Sequence, residues 1–330
     1  MVATIIDVAK KAGVSASTVS KVLKNYTTIS DATKKKVLEA IKELNYIPNL
    51  TASNLSSKKT EKVALYIYIN DLKQAVDEIN MQYLQGAFEQ AKEINLDVVT
   101  IFNQTVHDYT PEELSRYFIA QGINAIVVYG LNKEDTVIHE IINSGQFLVT
   151  VVDAPIVNDI TSSVIVDHIQ GQYDVAKALL EKDPCHKVLY LAGKQNGYVT
   201  DMRIQGIQKL QNEFGFDLNI QYAEFSEKKA YELTQRYASD ADAVVCASDL
   251  MAIGAVNALI NMNIFRRCCG YDGITLMGYV GKQMLTCKQD FYETSKQAVL
   301  EIKRLLEGEK GRQRLLNYEV KVIKYDDVIM

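Results

Sequence analysis

Ala16, Ser17, Ser20, Lys21 and Lys24 share one face of a segment with helical periodicity near the start of the chain. Small, polar and basic side chains on one helix face suit insertion into a DNA major groove, where bulkier groups would hold the backbone away from the base edges. Elements able to present that face are legible around it. Thr4 and Asp7 form a capping-box pair before a helix whose apolar positions are Ile5, Val8, Ala9 and Ala12. Gly13 ends it with a residue that accepts positive φ, and Val14 packs beneath the turn. Ser15 caps the second helix, over 16–24, with Val19, Val22 and Leu23 inward. A third helix begins near Ser30 and buries Val37, Ile41 and Leu44, leaving Lys34, Lys35 and Lys36 outside. Two helices joined by a tight glycine-containing turn are the helix-turn-helix arrangement.

Charge separates this head from the rest. Residues 1–60 hold ten lysines, no arginine and four acids, a net +6, while residues 61–330 hold 26 basic and 37 acidic residues, a net −11. The overall −5 conceals a polyanion-binding module on an acidic body. At 330 residues and 48% hydrophobic, the chain is long enough for two or more globular domains and is neither disordered nor a disulfide scaffold. Its five cysteines are odd in number and include no Cys-x-x-Cys pair; its four histidines are scattered. Reduced thiols are therefore expected, with no metal site and no cofactor. An N-terminal apolar signal region and any apolar run of about 20 residues are both missing, so the expectation is a soluble cytoplasmic protein with no membrane partner.

The order Thr4-Ile5-Ile6-Asp7-Val8-Ala9-Lys10-Lys11-Ala12-Gly13-Val14-Ser15, then Ser17-Thr18-Val19-Ser20-Lys21-Val22-Leu23, then Ile29-Ser30 and Tyr46-Ile47-Pro48-Asn49, closely resembles the head of the lactose-repressor (LacI/GalR) family. The resemblance implies a helix-turn-helix DNA-binding domain over 1–47 and a hinge segment over 48–60. It implies DNA contacts at Thr4, Ser15, Ala16, Ser17, Thr18, Ser20, Lys21, Lys24, Asn25, Asn49 and Ala52. Leu55 takes the position of the family's minor-groove wedge, which unstacks a base step to bend the DNA. The family reads bases from the positions of Ala16, Ser17 and Lys21, and Lys21 is the best single candidate here. The head departs from the family in lacking arginine: Ser53 stands where a hinge arginine is common, and Lys24 where asparagine is frequent. Lysine offers phosphate a point charge rather than a bidentate fork, so no operator sequence follows.

From Lys62 onward apolar strands alternate with amphipathic helices. Strands are expected over 63–69, 96–102, 125–129, 147–152, 164–166, 188–192, 220–225, 243–247, 285–288 and 318–323. Helices are expected over 83–94, 111–120, 170–181, 202–214, 228–238, 250–262 and 294–306. This alternation indicates α/β architecture, with two doubly wound parallel-sheet lobes and a ligand cleft at the strands' carboxyl ends. No nucleotide-binding, Walker A, zincin or serine-hydrolase signature is present, which argues against an enzyme.

Val166-Asp167-His168-Ile169-Gln170-Gly171, Tyr190-Leu191-Ala192-Gly193, Arg203 with Gly206, Ala247 through Ala255, Gly270-Tyr271-Asp272 and Lys288-Gln289-Asp290-Phe291 resemble the same family's ligand-binding domain. That domain is similar to periplasmic sugar-binding proteins. The resemblance implies an effector-binding and dimerisation domain over 61–330, with an N-lobe of about 61–159 and 291–321 and a C-lobe of about 160–290 and 322–330. It places Arg203, Asp272, Ser248 and Phe291 around the effector with Asp249 beside them; Tyr68, Asn70 and Tyr129 lie at strand ends facing the cleft. Ser248 and Asp249 equally suit capping of the following helix, and Phe291 the core. The segment Arg266-Arg267-Cys268-Cys269 interrupts an expected apolar core strand and reads as an edge strand or an irregularity. The implied function is a sugar-responsive repressor of carbohydrate-utilisation genes. It would act as a homodimer on pseudo-palindromic operator DNA, since no heptad segment follows the last strand. Regulation by a phosphorylated carrier-protein corepressor, or a sugar-binding protein or sugar-acting enzyme without DNA function, are the alternatives.

Overall fold

The computed structural model describes residues 4–23, 29–44, 61–68, 78–280 and 283–325. The chain divides into two compact units, of which the N-terminal head belongs to one and most of the remainder to the other.

In the head, α1 (Ile5–Ala12), α2 (Ala16–Leu23) and α3 (Asp31–Glu43) form the expected trihelical unit. Thr4 and Asp7 complete the capping box, and Gly13 ends α1 in the left-handed conformation at φ 68°. Val8, Val19, Val22 and Val37 bury the small shared core, with Val14 packed against it.

The body follows with β1 (Lys62–Ile67), α4 (Glu78–Glu93), β2 (Asp97–Phe102), α5 (Pro111–Ala120), β3 (Ile123–Tyr129), α6 (Thr136–Asn143), β4 (Leu148–Val152) and β5 (Thr161–Val166). Next come α7 (His168–Leu180), β6 (Lys187–Ala192), α8 (Tyr198–Phe214), β7 (Asp217–Tyr222), α9 (Glu227–Tyr237), β8 (Ala243–Cys246) and α10 (Asp249–Asn261). The last elements are β9 (Arg267–Cys269), a 3₁₀ segment (Thr275–Val280), β10 (Met284–Lys288), α11 (Phe291–Leu306), β11 (Gln313–Leu316) and β12 (Glu319–Ile323). Two six-stranded sheets result, ordered β11-β5-β4-β3-β1-β2 and β12-β10-β9-β8-β6-β7. All recorded pairings are parallel except β10 with β12. Central strands such as β4, β5 and β8 are buried along their whole length, whereas the edge strand β7 is not, the pattern of parallel sheets covered on both faces.

The lobe borders differ from the expectation. β5 pairs with β4 and β11 in the N-lobe sheet, so the first crossover falls at Asp167 rather than at 160. β12 belongs to the C-lobe sheet, so the last crossover falls at 317–318 rather than at 321. The polar run Thr161-Ser162-Ser163 hid the length of β5, yet all three residues are buried. Ser163 donates to the Ala154 carbonyl at 2.7 Å, and Ser162 to the buried Glu301. Glu301 also accepts from Arg312 at 2.7 Å, holding the unanticipated β11 at the sheet edge.

β9 is likewise interior rather than an edge, lying between β8 and β10. Its arginines turn away from the sheet. Arg267 donates to the Leu179 carbonyl in the last turn of α7 and to that of Asp183 beyond it, and Arg266 to those of Ala238 and Ser239 after α9. Cations at helix C-termini satisfy orphan carbonyls, which reconciles two arginines with a buried sheet.

Candidate functional site

In the head, the hydroxyl of Ser15 accepts from the Thr18 amide at 3.2 Å and bonds the hydroxyls of Ser17 and Thr18. α2 is thus capped by the side chain that the spacing nominated. Ala16, Ser17 and Lys21 are exposed on one face, Thr18 and Ser20 are half-buried, and Thr4 caps α1. Lys24, Asn25, Asn49, Ala52, Leu55 and the hinge span 48–60 lie outside the described residues, as does Asn70 of the body.

The body holds a cleft of about 210 Å³ between its lobes. The N-lobe contributes Tyr68, Tyr83, Tyr129 and Asp153; the C-lobe contributes Tyr198, Arg203, Phe225, Ser248 and Asp272; and Gln289 and Phe291 come from the crossover between them. These positions cluster at the carboxyl ends of strands and the starts of the following helices, where open α/β folds bind ligands.

Arg203 and Asp272 form the polar centre. Arg203 Nη2 donates to Asp272 Oδ1 at 3.1 Å, Nη1 donates to the Ala247 carbonyl, and the guanidinium lies 3.7 Å from the Tyr271 ring centroid. Arg203 Nε is buried with no hydrogen-bond partner among the described residues. Gln289 adds a second donor to Asp272 Oδ1 at 3.1 Å. Burial pushes the Asp272 carboxyl up to about 6, against the opposing pull of Arg203.

Asp272 stands at φ 115°, a conformation rare outside glycine, and Gly273 follows at φ 78°. Asp249 holds this turn. Its Oδ2 accepts from the amides of Gly273 and Ile274 at 2.6 and 2.9 Å, and its Oδ1 from the Thr286 hydroxyl at 2.7 Å. Its own amide donates to the Tyr271 carbonyl at 2.6 Å. Asp249 is fully buried and is not part of the cleft wall. The expected effector contact is therefore corrected: the carboxylate is occupied in shaping the loop that presents Asp272.

Ser248 lines the cleft and also caps α10, accepting from the Met251 amide at 3.3 Å. Phe291 belongs at once to the N-lobe core and to the cleft wall, edge-on to Tyr83 at 5.4 Å between centroids. Tyr129 presents ring rather than hydroxyl chemistry, since its OH bonds Ser295 at 2.6 Å. Tyr68 is half-buried, and its amide donates to the Tyr129 carbonyl at 3.1 Å.

Sequence reasoning missed Asp153, Gln289, Tyr83, Tyr198 and Phe225. Asp153 immediately follows the apolar strand β4 at φ 59°, and Gln289 immediately follows β10. Position at a strand's carboxyl end was the available signal for both. Asp153 accepts from Tyr83 at 3.3 Å and contacts His168 Nε2 at 3.0 Å. His168 is fully buried, and its Nδ1 lies 3.2 Å from the hydroxyl of Tyr271, the ring beneath Arg203. Burial holds this imidazole below its usual range despite the Asp153 carboxylate. A continuous polar chain therefore runs from the N-lobe wall through the crossover to the C-lobe wall.

All five cysteines are free thiols, and among the described residues no group of His, Cys, Asp or Glu has metal-site geometry. No described helix is long and apolar enough to cross a membrane.

Comparison with known proteins finds two family matches. Residues 4–49 match the model described as bacterial regulatory proteins, lacI family, and residues 72–310 match a periplasmic binding protein domain. The HTH-type transcriptional regulator RegA of Clostridium saccharobutylicum is 29% identical over 270 residues, covering 80% of this chain and 79% of that protein. Among solved structures, a transcriptional regulator CelR–cellobiose complex aligns with TM-score 0.73 at 22% identity, covering 97% of this chain and 98% of that one. A Lac repressor dimer bound to operator and the anti-inducer ONPF aligns with TM-score 0.67 at 22% identity, covering 98% and 99%.

Proposed function

Because this chain belongs to the lacI family of bacterial regulatory proteins, and so is a DNA-binding transcriptional regulator, we propose that it is a carbohydrate-responsive repressor. It acts in the cytoplasm as a homodimer, placing two heads on the half-sites of a pseudo-palindromic operator controlling carbohydrate-utilisation genes. Residues 1–47 read the DNA, 48–60 form the hinge, and the two-lobed body binds effector and partner subunit. In the head, the exposed Ala16, Ser17 and Lys21 face base edges, while the capped start of α2 sets their register on the backbone.

The observation that carries the effector reading is the pairing of buried polar groups with aromatic walls in one cleft. Asp272 and Asp153 accept from sugar hydroxyls, Arg203 Nε donates to a ring or hydroxyl oxygen, and Phe291 and Phe225 cover apolar sugar faces. The similarity to a CelR structure holding cellobiose supports the same reading. Effector bound to both lobes changes their angle and thereby the spacing of the paired hinges. Linkage then requires operator binding to alter effector affinity by the same factor.

Arg203→Ala tests the assignment. The variant, shown to be folded by circular dichroism, should bind operator normally and lose its response to sugar. Loss of operator binding by the folded variant overturns it. A thermal-shift screen of sugars identifies the effector, since a ligand at 100-fold its Kd adds about 2.7 kcal/mol of stability.

A further inference from the structure

The cation at the floor of the cleft is already engaged. Arg203 gives one Nη1 hydrogen to the Ala247 carbonyl, one Nη2 hydrogen to Asp272 and its flat face to Tyr271, and its buried Nε has no partner among the described residues. A phosphate dianion is held by a guanidinium fork or by several converging donors, and here each Nη of the fork is already tied to a protein acceptor. The other cation among the lining residues, Lys194, lies within electrostatic reach of Asp135. Against these two stand three lining carboxylates, Glu78, Asp153 and Asp272.

Besides the two cations, the start of α8 attracts anions. Gly197, Tyr198 and Val199 line the cleft, and no side chain caps the helix. Asp201 in the first turn of α8 opposes that pull. The first-turn amides there serve a hydroxyl oxygen as well as a phosphate oxygen.

A hydroxyl both donates and accepts, so one hydroxylated ligand satisfies the carboxylates, Arg203 Nε and the α8 amides together. A phosphate dianion only accepts. It gives Asp153 and Asp272 nothing and is repelled by both in a low-dielectric cleft. We propose that this cleft selects an uncharged carbohydrate and rejects its phosphorylated form. The inference rests on the carbohydrate reading above and narrows it to one charge class.

Isothermal titration of the full-length protein tests it, with glucose, cellobiose, maltose and lactose in one arm and the 6-phosphate of each in the other. The expected result is at least one neutral sugar that binds, with its 6-phosphate at least about 100-fold weaker. Asp153→Asn should weaken the neutral sugar and shrink that ratio by about tenfold; Glu78→Gln at the rim gives the same direction if the first variant does not fold. A 6-phosphate that binds as tightly as its parent, or more tightly, overturns the charge assignment while leaving the carbohydrate reading intact. Binding by no member of either arm overturns the carbohydrate reading, and the charge assignment falls with it.

Discussion

Glu78 and Thr275, one from each lobe, are joined by a pair of hydrogen bonds at the rim of the cleft. Glu78 Oε2 accepts from the Thr275 amide at 2.9 Å and from its hydroxyl at 2.7 Å. A second clasp is built from Lys133 and Asp201, from the Lys133 amide on the Asn196 carbonyl at 3.2 Å, and from Asn196 on Glu134 at 2.7 Å. Both clasps are partly exposed, so each bond stabilises lobe apposition by about 0.5–1.5 kcal/mol rather than locking it.

If the Glu78 clasp favours the apposed lobes, Glu78→Gln combined with Thr275→Val should weaken the effector about 3–10-fold. Small-angle scattering of the free variant should show a larger radius of gyration. Unchanged affinity and unchanged scattering would leave the clasp without a conformational role.

His168 joins the lobes from within. Replacing it by leucine leaves an Asp153 oxygen and the Tyr271 hydroxyl without their buried partner, a loss of about 2–4 kcal/mol. Urea denaturation monitored by circular dichroism measures it. A cost below about 0.5 kcal/mol would mean that these two bonds contribute little.

Asp272 and His168 give opposite pH dependences. Burial raises the Asp272 carboxyl from 3.8 to about 6, so folding favours its protonated form. The stability it contributes is present below about pH 4 and lost as pH rises through about 6. Burial lowers His168 below 6.5, so its contribution is present above that value and lost as pH falls. Relative to wild type, Asp272→Asn should therefore gain in urea midpoint between pH 4 and pH 7, and His168→Leu should gain as pH falls from 7 to 5. Shifts of the reverse sign would show that other groups dominate in those windows.

In the head, Lys21→Ala tests the proposed base contact: it should cost about 1–3 kcal/mol at the operator and less on random DNA. Fluorescence anisotropy against salt separates the two. Equal losses on both DNAs, with a shallower salt slope, would make Lys21 a phosphate contact instead.

The head was readable almost residue by residue because its signals are local. Thr4 with Asp7, Gly13 and Ser15 each fix a boundary through their nearest neighbours in the chain. The alternation of strands and helices in the body was readable for the same reason. What escaped depends on contacts distant in sequence. β5 lies between β4 and β11, the latter about 150 residues away, and its buried serines mask its apolar character. Asp249 and Asp272 look equivalent as polar residues after strands, yet one braces a turn while the other faces the cleft. No periodicity distinguishes them; only the arrangement of amides around Asp249 does.

Three short connections join the lobes: Asp167 after β5, 289–290 after β10, and 317–318 after β11. One such tether would let the lobes tumble relative to each other, whereas three side by side remove nearly all of that freedom and leave essentially one angular coordinate. Closing along one coordinate forfeits little rotational entropy, so ligand binding energy is not consumed in restraining a floppy joint. The body is in mechanical terms a device with a single dial, and a molecule in its cleft can set only that dial.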